Sequence, residues 1–187
     1  FYVQADWGHR HMKRRVAQLM KKTSSALPQR SSTLERLKEK APDELPLCRY
    51  LQKTGAQPVF DQCRLSYFPS GEAKFEALKA ELLKAKRFIF LEYFIVDEGR
   101  MWGEILEILA EKARKGVEVR VMYDGSCEFT TLPRDYPQRL QKLGIKCKMF
   151  SPLRPVMSTH YNNRDHRKIL VIDGKVALTG GVNLADE

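Results

Sequence analysis

A chain of 187 residues is long enough for one domain of moderate size and an additional arm. Apolar residues make up 43% and charged residues 30%, an ordinary balance for a folded domain rather than a disordered one. The net charge of +10 is uneven: residues 1–58 hold 12 Lys and Arg against 5 Asp and Glu, and residues 59–187 hold 21 against 18.

This basic excess suits an anionic partner surface, either lipid headgroups or nucleic acid, or simply a solvated arm. Cys48, Cys63, Cys127 and Cys147 form no C-x-x-C pair and no zinc spacing, so reduced thiols are expected. No run of about 20 apolar residues and no signal-peptide pattern occurs. The chain opens on Phe1-Tyr2-Val3 without Met, and is expected to be a piece of something longer.

Residues 1–25 mix Phe1, Tyr2 and Trp7 with Lys13, Arg14, Arg15, Lys21 and Lys22. Val16, Leu19 and Met20 fall at helical spacing behind the bases. The pattern predicts a basic amphipathic helix lying on an anionic membrane, or a helical linker with a solvated face. Thr23 to Ser32 reads as a linker, and Thr33 to Ala41 as a short helix stopped by Pro42. Residues 42–58 look irregular or loosely helical, which sets a domain boundary near Val59. The expected domains are therefore 1–58, a basic arm and linker, and 59–187.

Arg64 to Phe68 is a strand candidate. Ser70 is placed to cap a helix over Glu72–Lys84, with Phe75, Leu78, Leu82 and Leu83 as its apolar face. Arg87 to Val96 is almost wholly apolar or aromatic, which suits a strand covered on both faces. Glu92 interrupts it, and a carboxylate there needs a partner. Met101 to Lys115 predicts a helix, buried along Ile105, Leu106, Ile108 and Leu109 and ended by Gly116. Val117 to Tyr123 predicts a strand ending at Asp124, at the strand end where α/β sheets gather functional groups. A helix over Pro133–Leu143, a strand over Ile145–Phe150 and a loop over Ser151–Asn163 follow. The alternation argues an α/β fold with a mixed sheet flanked by helices, and no internal repeat is visible.

The stretch from His160 onward carries the chemistry. His166 and Lys168 share one face of a strand that runs to Ile172. Asp173-Gly174 is a turn signal, and Lys175 to Thr179 returns as a second strand. Gly180 and Gly181 give backbone room, and Asn183 adds amide donors. An imidazole, an ammonium and an amide on one wall suit a phosphate. Alone, each residue has a plainer explanation: Lys168 an edge-strand lysine, Asp173 a turn former, Glu92 a structural salt bridge.

The pattern His166-x-Lys168-x4-Asp173-x6-Gly180-Gly181-x-Asn183 resembles the phospholipase D superfamily. Phe90-Leu-Glu92-Tyr-Phe-Ile95, Val119-Arg-Val-Met-Tyr-Asp124 and Gly180-Gly-Val-Asn-Leu-Ala-Asp-Glu187 are similar to bacterial cardiolipin synthases. The similarity runs from about Val59 to the end. It implies a phospholipase D-like α/β sandwich, the first half of a pseudo-twofold pair. It further implies phosphatidyl transfer through a phosphohistidine, joining two phosphatidylglycerol molecules into cardiolipin and glycerol. His166 is then the nucleophile, Lys168 and Asn183 stabilise the phosphate oxygens, and Glu92, Gly180 and Gly181 lie near the substrate. Asp173 belongs to the motif, though its strand parity differs from that of His166 and Lys168.

No metal or cofactor is implied. The implied partners are anionic phospholipid, a bacterial membrane surface with the catalytic part on its cytoplasmic side, and a second motif. That motif does not occur here: His9, His11 and His160 lack it. It is expected from a C-terminal half or a second copy. A nuclease or other phosphodiesterase on the same fold, or a non-catalytic membrane-binding module, is the alternative. A charge of only +3 over residues 59–187 argues mildly against nucleic acid.

Overall fold

The structure is a computed structural model. It describes residues 2–152 and 164–186, with side chains from Met12 onward. It divides into two compact units, Phe1–Ser66 and Tyr67–Glu187.

The first unit is helical: α1 (Tyr2–Ala26), α2 (Ser31–Lys40), a 3-10 turn (Pro42–Glu44) and α3 (Leu45–Gly55). α1 runs through Thr23–Ala26, where a linker was expected. Ser25 Oγ bonds the Lys22 carbonyl there at 2.9 Å, so the hydroxyl serves the helix instead of breaking it. Residues 42–58 are also more regular than expected. Pro42 and Pro46 each occupy the first turn of a helical segment, where a missing N–H costs nothing. Gln29 clasps the backbone of Val59 through both its amide atoms. Along α1, Met12, Val16 and Leu19 lie exposed at i, i+4 and i+7.

The backbone that leads from the first unit into the second is extended. Arg64 to Phe68, expected as a strand, pairs with nothing among the described residues, and Leu65 and Tyr67 are almost fully exposed. Alternation alone does not make a strand without a ladder to join. α4 (Gly71–Lys84) follows, with Ser70 Oγ accepting from Ala73 N at 3.3 Å as its cap. Its buried face is Lys74, Leu78 and Leu82, while Leu83 is exposed.

Five strands form one mixed sheet in the order Lys146–Phe150 (β3), Glu118–Asp124 (β2), Phe88–Tyr93 (β1), Lys168–Ile172 (β4) and Val176–Thr179 (β5). β1, β2 and β3 are parallel. β4 runs antiparallel to β1, and β5 antiparallel to β4. α5 (Arg100–Arg114) connects β1 to β2. A short α6 (Cys127–Thr130) and α7 (Tyr136–Lys142) connect β2 to β3.

Ile89, Leu91 and Tyr93 of β1 join Val119, Val121 and Tyr123 of β2 and Leu170 and Ile172 of β4 in the core. Against them pack Leu78 and Leu82 of α4, Trp102, Ile105 and Leu109 of α5, and Tyr136 and Leu140 of α7. The helices thus cover one face of the sheet. On the other face Phe88, Phe90, Glu92, Ile169 and Val171 are only half-buried, so β1 is not sealed on both sides by the described residues. Phe88 stacks on Phe90 at 4.5 Å, and the Arg120 guanidinium lies 4.8 Å over the Phe90 ring. Self-stacking and a cationic lid explain how aromatics occupy that half-open face.

Candidate functional site

His166 enters from a segment held at both sides. Asp124, fully buried at the end of β2, accepts Ser126 N at 2.8 Å, Asp165 N at 3.0 Å and Arg164 Nη1 at 3.1 Å. Arg164 also donates to the Ser151 carbonyl. Burial pushes the Asp124 carboxyl up, but the amides of Asp165 and Ser126 and the Arg164 guanidinium outweigh it and hold it below the usual range. Gly125 must be glycine, since a Cβ there would stand 2.7 Å from the Ser151 carbonyl oxygen. The effect is to fix residues 164–165 against the carboxyl end of the parallel strands, so that β4 starts beside it.

His166 is exposed and Lys168 is buried on the same side of the chain. Lys168 Nζ lies 3.3 Å from His166 Nε2 and donates to the His166 carbonyl at 3.1 Å. An ammonium has only donors, so Nε2 is the accepting nitrogen and the ring proton belongs on Nδ1. Phe94 backs the pair: its ring lies 4.7 Å from the imidazole and 5.0 Å from Lys168 Nζ. A cation is therefore held at one edge of an imidazole whose face is shielded by an aromatic ring.

The loop after β5 returns along β1. Leu184 N donates to the Ile95 carbonyl, Asp97 N to the Leu184 carbonyl, and Ile95 N to Asn183 Oδ1 at 3.3 Å. With its oxygen committed to a backbone donor, Asn183 keeps its NH2 donors free among the described residues. Asp186 then caps α5, accepting Arg100 N at 2.5 Å and Met101 N at 2.8 Å. Gly180 lies one step past β5, and extending the pairing of Ile169 with Thr179 sets it across from Lys168. His166, Lys168, Gly180 and Asn183 are thus brought to one end of the sheet.

Asp173 and Glu92 are placed elsewhere. Asp173 stands five residues along the chain from Lys168, roughly 17 Å at strand spacing. It sits in a turn with Gly174, both at positive φ, and accepts Phe88 N, Arg87 N and Lys86 N at 2.8–2.9 Å. Those bonds hold its carboxyl below the usual range. It braces the start of β1.

Glu92 alternates with Tyr93 and lies on the half-open face, away from Lys168. Arg167 Nε stands 2.9 Å from Glu92 Oε1 and 2.7 Å from Asp165 Oδ1. Only the Asp165 contact has hydrogen-bond geometry, and Glu92 Oε1 is buried without a bond among the described residues. Burial, and then the neighbouring Asp165 carboxylate, push Glu92 up to about 7.

The sequence reading passed over Lys74, Phe94, Asp165 and Arg167. Lys74 left a signal, because Lys74, Leu78 and Leu82 recur every four residues and put a charge in an apolar stripe. Phe94 and Arg167 left none, since their contacts depend on the pairing of β1 with β4. His160 lies outside the described residues. Among the described residues no cluster of His, Cys, Asp and Glu is placed to hold a metal ion, and no helix is long and apolar enough to cross a membrane.

Residues 78–187 match the family model described as cardiolipin synthase, PLD-like domain. An uncharacterized protein of Streptococcus mutans is 53% identical over 190 residues, which cover 100% of this chain and 40% of that protein. A cardiolipin synthase of Geobacillus kaustophilus is 40% identical over 148 residues, 79% of this chain and 29% of its own. A cardiolipin synthase of Alkalihalophilus pseudofirmus is 32% identical over 191 residues, 100% of this chain and 38% of its own. The chain therefore spans well under half the length of these relatives.

Proposed function

The chain belongs to the cardiolipin synthase, PLD-like domain family, and from that premise we propose that it supplies one of two catalytic motifs of a phosphatidyltransferase. The substrate is phosphatidylglycerol, two molecules of which yield cardiolipin and glycerol. The observation that carries this reading is the contact between Lys168 Nζ and His166 Nε2, closed on one side by Phe94.

When Lys168 Nζ turns from His166 Nε2 to the phosphate, the freed Nε2 lone pair attacks the phosphorus of one phosphatidylglycerol, and the bond from phosphorus to the glycerol oxygen breaks. That oxygen takes a proton from an acid on the far side of the phosphorus. The hydroxyl of a second phosphatidylglycerol then attacks the phosphohistidine, gives its proton to the same group, and frees His166. Lys168 and the NH2 of Asn183 stabilise the equatorial oxygens as charge builds on them.

The proton carrier is assigned to the second motif, in a C-terminal half or a second copy. The length of the relatives leaves room for such a half. The exposed apolar line of Met12, Val16 and Leu19, with Lys13, Arg14 and Arg15 beside it, supports an arm lying on an anionic bacterial membrane; the proposal sets the catalytic unit on its cytoplasmic side.

The test is the full-length protein with phosphatidylglycerol vesicles, followed by lipid mass spectrometry. Cardiolipin should form, and His166→Ala should reduce its formation by several powers of ten. Near-wild-type cardiolipin from His166→Ala refutes the nucleophile. Cleavage of single-stranded DNA without cardiolipin would move the chain to the phosphodiesterase reading.

A further inference from the structure

One charge of α4 is turned inward. Lys74 is 8% exposed, on the same stripe as Leu78 and Leu82, which are fully buried. A lysine on an apolar stripe normally carries its head to solvent or to a carboxylate. The Lys74 Nζ does neither. It is buried and has no hydrogen-bond partner among the described residues. Burial alone pushes its pKa down. Leu or Met would fill the same space without the desolvation cost, so packing does not explain a lysine here.

Its neighbour is Gly180. A Cβ built on Gly180 would stand 3.3 Å from Lys74 Nζ. Gly180 is the residue set across the β4–β5 ladder from Lys168, and residues directly opposite in a ladder present the same face. The first turn of α4 meets this loop a second time, since a Cβ on Gly71 would lie 3.7 Å from the Val182 side chain. Lys74 Nζ thus approaches Gly180 from the helix layer, on the face that Lys168 shares from across the ladder. Two lysines that share one face of this loop are favourable when an anion lies between them.

We infer that Lys74 is a further phosphate-binding residue of this site, pairing its ammonium with a non-bridging oxygen of the phosphodiester that His166 attacks. The inference rests on the phosphatidyl-transfer reading. Gly180 carries no side chain, which leaves the ammonium free to swing past it toward the oxygen. Lys168 then serves the imidazole before attack and the phosphate during it, while Lys74 serves the phosphate alone.

The experiment uses the full-length protein and the variants Lys74→Met and Lys74→Arg. One arm measures the rise in melting temperature caused by inorganic phosphate. The other measures KM and kcat for phosphatidylglycerol in mixed micelles. Loss of one charged contact to phosphate should weaken binding about tenfold or more. Lys74→Met should therefore lose most of the phosphate-induced rise and raise KM about tenfold, with a melting temperature in the absence of phosphate no lower than wild type. Lys74→Arg should keep most of both.

A Lys74→Met protein with wild-type phosphate response, or with wild-type KM, overturns the inference. If Lys74→Met does not fold, Lys74→Gln takes its place, and equal phosphate responses in Gln and Arg overturn it. A wild-type protein that makes no cardiolipin removes the reading of the reaction, and the phosphate arm still decides the role of Lys74.

Discussion

Replacing Glu92 by Gln should stabilise the fold at pH 8 and change it little at pH 5. Glu92 sits on the half-open sheet face with Asp165 and Arg167, and its carboxyl is pushed from 4.5 to about 7, first by burial and then by Asp165. The folded state keeps this proton to about pH 7, while the unfolded chain releases it near 4.5. Between these values the native state binds more protons, so stability falls as pH rises. The gap corresponds to about 3.4 kcal/mol at ~1.4 kcal/mol per pKa unit. The Glu92 side chain is 25% exposed, and solvent screening brings the usable figure to ~1–2 kcal/mol.

Gln carries no charge and can donate its amide to Asp165, whose own carboxyl lies below its usual range and titrates outside this window. Urea unfolding of the 187-residue chain at pH 5, 6, 7 and 8 reads the effect. The wild type should lose ~1–2 kcal/mol across the series, and Glu92→Gln should not. A variant destabilised at pH 8 refutes the reasoning. It would mean that Arg167 holds Glu92 ionised and that the 2.9 Å contact is a true salt bridge.

Asp173→Ala should lower the melting temperature by orphaning the Lys86, Arg87 and Phe88 amides. In the wild type that contribution is present above pH ~4 and lost as pH falls through the depressed folded value; a variant as stable as wild type at pH 7 refutes the brace. Asp124→Asn should cost ~2–4 kcal/mol in urea unfolding, because a buried carboxylate serving two amides and a guanidinium becomes neutral; a cost below ~0.5 kcal/mol would show that residues 164–165 are held by other contacts. A peptide of residues 1–25 should co-sediment with anionic vesicles and release in high salt, and equal partition to neutral vesicles counts against the membrane surface. Residues 1–187 alone should not form cardiolipin, and turnover by a monomer in light scattering would show that one motif suffices.

The sheet was legible because its strands are apolar runs bounded by Gly and Asp turns, and because local periodicity separates β1 and β2 from α4 and α5. The strand expected at Arg64–Phe68 failed for a non-local reason, as its alternation is sound but no ladder among the described residues reaches it. Pro42 and Pro46 misled in the opposite sense, because a proline that breaks a helix interior is harmless in a first turn. In the site, the shared face of His166 and Lys168 followed from strand parity, and so did the displaced position of Asp173. Glu92 followed from parity as well, had its alternation with Tyr93 been weighed. The contact of Phe94 with His166 and the nearness of Lys74 to Gly180 depend on register between distant segments, which no window of sequence contains.

The bonds that assemble the site share one property along the chain. Phe88 and Asp173 are 85 residues apart, Ile95 and Asn183 are 88, and Met101 and Asp186 are 85. β1 therefore finds its antiparallel neighbour only after a loop of that length closes, at an entropic cost of roughly 4 kcal/mol beyond the constant of closure. Such long-range pairing makes folding slow. During synthesis β1, α5 and β2 can collapse early, but the edge of β1 that receives β4 stays open until Lys168–Asp186 has left the ribosome. A nascent chain in that interval presents an unpaired Phe-Ile-Phe-Leu strand edge, and translation speed between β2 and Asp186 becomes a determinant of yield.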